Sequence, residues 1–156
     1  MFTSHHAQPP SAITWVPALT TQQLSLGAHL VTPRPRYTHH GIYVGEGHVI
    51  HYAGFAHSWQ AGPVEELTLL EFASAHPLGL VDHRQSRYSA QQIVQRARAR
   101  LGEHDYHLLK NNCEHFCNEC IDGLHHSVQA QSLGRFSSLV LTCALELRSP
   151  ALRRPW

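Results

Sequence analysis

Tyr37-Thr38-His39-His40-Gly41-Ile42-Tyr43-Val44-Gly45-Glu46-Gly47-His48-Val49-Ile50-His51-Tyr52 contains two short runs of β-type residues on either side of a glycine-rich turn. That pattern predicts a β-hairpin, with Gly45-Glu46-Gly47 as the connection. Side chains alternate along a strand. His39, Gly41 and Tyr43 therefore share one face of the first strand, and His40, Ile42 and Val44 the other. On the second strand Val49, His51 and Ala53 lie together. A pairing symmetric about Glu46 sets His39 opposite Ala53 and diagonal to His51, within reach of two imidazoles.

Far downstream, Asn111-Asn112-Cys113-Glu114-His115-Phe116-Cys117 marks a helix start. An asparagine caps it, Cys113 falls in the first turn, and Asp122-Gly123 ends the helix near Ile121. Between the two motifs the chain predicts a strand at Val64–Leu67, a short helix or turn around Leu69, Leu70 and Phe72, and a strand at Gly79–Asp82. A helix is expected over Ser89–Leu101. Ser89 and Gln92 form its capping box, Ile93, Ala97, Arg100 and Leu101 its inner stripe, and Gly102 its C-cap. Before the hairpin, Leu24–Val31 reads as a strand ended by Thr32-Pro33-Arg34-Pro35. Strands come first and helices after, which predicts an α+β domain. Residues 1–23 read as a flexible leader, 24–125 as the catalytic domain, and 126–156 as a C-terminal extension with a helix near Phe136–Arg148.

Composition narrows the function. The 156 residues are 42% hydrophobic and 15% charged, with a net charge of +1. This is a globular chain with no charge bias toward nucleic acid. Met1–Pro10 has neither a charged n-region nor an apolar core, and no apolar run reaches about 18 residues. The expected setting is cytoplasmic, peripheral to membranes. Fifteen histidines make any single histidine weak evidence, so spacing has to carry the argument.

From the residues alone, Cys113 has three readings. A thiol at a helix N-terminus gains thiolate character from the dipole and the free N–H groups, and a strand histidine supplies a base; that is a nucleophile. The first-turn N–H groups at Asn112 and Cys113 are also suited to holding an oxyanion. The commoner role of a cysteine at such a place is a buried small apolar residue. Cys117-Asn118-Glu119-Cys120 adds a third reading, a zinc site, which lacks a second ligand pair.

The two motifs together resemble the signatures of the lecithin:retinol acyltransferase domain family: the histidine hairpin, with twelve residues from His39 to His51, followed by Asn-Cys-Glu-His-Phe at residues 112–116. The resemblance covers about residues 24–125. It implies a circularly permuted papain-like (NlpC-type) α+β fold, an antiparallel sheet with the histidine hairpin packed on helices. Carried over, Cys113 is the nucleophile, His39 the general base and acid, and His51 the orienting partner. The implied reaction passes through a thioester on Cys113, from a phospholipid-type acyl ester to water or another acceptor. It needs no cofactor or metal. An acyl-lipid substrate and transient membrane-surface contact are the expected partners, with no nucleic acid. Tyr37, Tyr43, His40 and Tyr52 are the expected substrate-binding residues. His40 stands where animal members usually carry tryptophan. From the resemblance the chain is expected to lack a C-terminal membrane-spanning anchor and to stand closer to compact bacterial-type members. The alternatives are a papain-like amidase or peptidase with the same triad, and a non-catalytic module holding a lipid or protein beside Phe55, Trp59 and Phe116.

Overall fold

The structure is a computed structural model and describes residues 12–16, 24–54, 61–83, 86–108 and 111–123. Among these, six strands and three helices follow one another: β1 Ile13–Val16, β2 His29–Pro33, β3 Thr38–Gly45, β4 His48–Gly54, β5 Gly62–Thr68, α1 Leu69–Ala73, β6 Leu78–Val81, α2 Ala90–Arg98 and α3 Cys113–Asp122. The strands form one antiparallel sheet in the order β1-β6-β2-β3-β4-β5. The domain is therefore α+β, as the element order implied.

The expected hairpin is β3–β4, with Gly41 opposite His51, Ile42 opposite Ile50 and Tyr43 opposite Val49; the register then slips by one before Gly45 meets His48. Gly45, Glu46 and Gly47 all take positive φ, which explains two glycines in a three-residue turn. The alternation of β3 and β4 separates two cores. Ile42, Val44, Ile50, Tyr52 and Val64 meet α2 and α3 through Ile93, Val94, Ala97, Cys113, Phe116, Cys117, Cys120 and Ile121. Tyr43 and Val49 face the other way, onto Leu30, Leu69, Phe72 and Leu78. Full burial of each large apolar side chain here contributes about 1.5–3 kcal/mol.

Three local expectations change. Strand β1 lies inside residues 1–23 and pairs with β6, from Ile13 opposite Val81 to Val16 opposite Leu78. Four residues at a sheet edge leave too weak a pattern to stand out from a Pro- and His-rich surround. Strand β2 runs on through Pro33, where β6 no longer pairs with it and a proline is tolerated as on a sheet edge. Helix α2 ends at Arg98 rather than running to a Gly102 cap. Arg100 N–H and Leu101 N–H then bond to the carbonyls three residues back, tightening the last turn. That rotation leaves Leu101 exposed, while Val94 joins Ile93 and Ala97 inside. The segments around Phe55 and Trp59, and the helix expected at Phe136–Arg148, lie outside the described residues.

Candidate active site

The register of the hairpin brings His39 and His51 together. His39 Nε2 lies 2.7 Å from His51 Nδ1, with the rings nearly perpendicular. Both are buried, 2% and 1% exposed, so water does not compete for their nitrogens. Phe72 of α1 covers the pair, its ring centroid 5.4 Å from His39 and 5.9 Å from His51. Gly41 makes room for it: a Cβ there would stand 2.8 Å from the Phe72 ring and 2.6 Å from Val49. Arg34 holds the end of α1 in place, its Nη2 donating to the Phe72 carbonyl at 2.8 Å. On the other side of His51, the Glu65 carboxylate lies 3.2 Å from Nε2.

Cys113 opens α3. Asn112 caps this helix, its side-chain oxygen accepting from the N–H groups of Glu114 and His115 at 3.0 Å each. The Asn112 amide N–H donates to the Leu108 carbonyl, so both ends of that side chain are engaged in shaping the helix start. Asn111, just before it, binds Glu103 and the Asp105 carbonyl, and Arg100 ties Glu103, Asn111 and Glu119 into one network. The connection that delivers Cys113 is thereby anchored to the ends of α2 and α3. The cysteine sulfur lies 4.0 Å from the Thr38 carbonyl, against β3 beyond the last β3–β4 pair. Thr38 immediately precedes His39.

Burial pushes the Cys113 thiol up to about 12; the N–H groups of His40, Glu114 and Cys113 itself pull the other way, and the Glu114 carboxylate adds to the rise. Desolvation of a small anion outweighs the helix start, so the resting group is a neutral thiol. Burial thus opposes the thiolate character that the helix dipole favours. Burial also raises Cys117 and Cys120, both packed in the α2–α3 core.

A model of the lecithin retinol acyltransferase family matches residues 22–126. The chain belongs to this family. It is similar to human phospholipase A and acyltransferase 3, 31% identical over 116 residues that cover 64% of this chain and 72% of that protein. The mouse protein of the same name is 32% identical over 114 residues, covering 63% and 70%. Human phospholipase A and acyltransferase 2 is 31% identical over 127 residues, covering 64% and 78%.

In this family member the four residues expected to bind substrate take different places. Tyr37 stays at the surface, 37% exposed, edge-on to His39 with ring centroids 6.0 Å apart. Burial raises its phenol, the nearby Cys113 adds to the rise, and Arg34 opposes it. Tyr43 is buried, and its hydroxyl accepts from Gly47 N–H at 3.2 Å, bracing the hairpin turn. Tyr52 is fully buried between Tyr106 and Phe116. His40 points to the α3 face and joins a second histidine chain. Its Nδ1 is 2.8 Å from His29 Nε2, His29 Nδ1 is 2.8 Å from His83 Nε2, and His83 Nδ1 is 3.0 Å from Asp122. Glu65, His29 and His83 escape a reading of the sequence. Their partners come from other strands and helices, and the run Val64-Glu65-Glu66-Leu67 carries no clean alternation to show which glutamate faces His51.

Proposed function

We propose that this chain is a thiol-dependent acyl hydrolase or acyltransferase acting on lipid acyl esters, with Cys113 as nucleophile, His39 as general base and acid, and His51 as the orienting group. The observation that carries the reading is the buried 2.7 Å His39–His51 contact at the strand end where the Cys113 sulfur lies. The names of its relatives supply the substrate class. The antiparallel sheet with a cysteine-led helix supports a circularly permuted papain-like arrangement.

Because the resting thiol is neutral, attack and proton transfer belong to one step. His39 takes the thiol proton on the nitrogen turned away from His51. The sulfur bonds to the ester carbonyl carbon, and the Cys113 N–H at the head of α3 is the donor for the developing oxyanion. As the carbon–oxygen bond breaks, His39 returns the proton to the leaving alcohol, and an acyl thioester remains on Cys113. Water, or an amine or alcohol, then gives its proton to His39 and takes the acyl group, restoring the thiol. Tyr37 at the rim is the substrate-binding residue best exposed for contact. No described helix is long and apolar enough to cross a membrane.

The test is intact-mass measurement after exposure to an activated acyl ester. The wild-type chain gains one acyl mass and Cys113→Ala gains none; uptake by Cys113→Ala sinks the assignment. Turnover of a cell-wall peptide in preference to a phospholipid would move the chain to the amidase reading with the same three residues.

A further inference from the structure

We infer that Glu65 is a positioning residue of this site: through His51 it sets which nitrogen of His39 carries the proton. The inference rests on the Cys113–His39–His51 reading and goes beyond it to a fourth side chain. Glu65 lies on β5 directly opposite His51 of β4, so the two share a face of the sheet. Its carboxylate oxygen stands 3.2 Å from His51 Nε2, and the side chain is 37% exposed where His51 is 1% exposed.

Proton placement follows from donor and acceptor capacity. The 3.2 Å approach is a charge contact rather than an aligned hydrogen bond; an ionised carboxylate only accepts, so its field favours the hydrogen on the His51 nitrogen nearest it. A neutral imidazole has one N–H and one lone pair, so His51 Nδ1 is left as an acceptor. That acceptor faces His39 Nε2 at 2.7 Å, which therefore carries the hydrogen. His39 Nδ1 is then the basic nitrogen, and it is the one turned away from His51. A base that must take a proton from Cys113 needs that tautomer. With a proton bound instead at His39 Nδ1, the imidazole would meet the thiol as a second donor. On this reading the effect of Glu65 reaches the thiol through two imidazoles. Among the described residues, Tyr37 from the β2–β3 connection and Thr32, opposite His39 on β2, also stand beside the pair, as does Cys113 from α3 on the reading above. Phe72 of α1 contributes only an apolar lid.

Two variants and one spectrum test this. Glu65→Leu removes the acceptor, while Glu65→Gln keeps an acceptor oxygen without the charge. Single-turnover acylation of Cys113 should fall about tenfold to a hundredfold in Glu65→Leu, with substrate KM little changed. This is less than the roughly 10⁴-fold effect of a buried orienting carboxylate, because water reaches Glu65. Glu65→Gln should stay within about threefold of wild type. Nitrogen-15 spectra of the wild-type imidazoles should show His51 protonated at Nε2 and His39 at Nε2, and a mixture of tautomers in Glu65→Leu. Wild-type acylation in Glu65→Leu, or wild-type spectra with the opposite tautomers, overturns the inference and leaves the triad standing. Equal loss in both variants with the spectra unchanged overturns it as well. Acyl uptake by Cys113→Ala removes the triad and this inference together. The wild-type spectrum decides the proton placement even if a variant fails to fold.

Discussion

His39 and His40 are consecutive residues of one strand, and each begins a chain of imidazoles on its own face of the sheet. The His39 chain runs through His51 to Glu65, at the surface of the edge strand β5. The His40 chain runs through His29 and His83 to Asp122, at the far end of α3. The same rule of one donor and one acceptor per neutral ring orders both. In the second chain Asp122 places the hydrogen on Nδ1 of His83, then of His29, then of His40. The difference lies in the ends. One chain starts at the strand end that holds a cysteine sulfur and finishes at a half-exposed carboxylate. The other joins β3, β2 and the residues after β6 to the helix that Cys113 opens. On the proposed mechanism the first moves a proton, whereas the second ties α3 to the sheet. The family resemblance is carried by the first. Histidine at position 40 commits that side chain to the second.

The largest expected effects separate the chains by readout. His39→Asn should lower Cys113 acylation about a thousandfold, with little change in melting temperature. His29→Leu should do the reverse: it strands the facing nitrogens of His40 and His83 in a buried site and costs about 2–4 kcal/mol of stability. Acylation per folded molecule should stay within about threefold of wild type. Loss of acylation in a fully folded His29→Leu protein would erase the distinction.

Acid sharpens it further. Burial depresses His40 to about 4, with the Glu114 charge opposing and the His83 charge assisting. Burial also holds His29 well below the ordinary histidine range, assisted by His40 and His83. The folded state therefore takes up protons later than the unfolded chain, whose histidines titrate near 6.5. Stability is full above that value and is lost as pH falls from about 6.5 toward about 4. The melting temperature, followed by circular dichroism, should drop across this window, and His29→Leu should flatten the slope. A melting temperature unchanged between pH 7 and pH 4 would rule out neutral buried histidines in the second chain.

The smallest expected effect concerns the helix that Cys113 opens. Asn112→Ala removes the cap from the first turn of α3 and should cost about 1 kcal/mol in denaturant unfolding. The sulfur it positions should acylate several-fold more slowly. A change in stability without a change in acylation would show that the cap does not set the thiol's position.

Much of the site is legible in the sequence because it is local. The hairpin register follows from two alternating runs and a turn with two glycines, and it alone brings His39 beside His51. Asn112 as a cap and Gly123, in left-handed conformation, as a stop bound α3 within a few residues of where the sequence places them. The capping box of Ser89 and Gln92 does the same for the start of α2. Each rests on interactions between residues three or four apart, or across one tight turn.

The remainder depends on contacts between distant segments. That β6 inserts between β1 and β2, and that Glu65 rather than Glu66 faces His51, are matters of strand order and register. The thiol's protonation is also a tertiary property. The helix start is visible in the sequence and favours the anion, but burial under the sheet and α2 opposes it and wins. Local patterns specify which groups are available and which way they point. Desolvation and cross-strand pairing, which act through space, decide their charge and their partners.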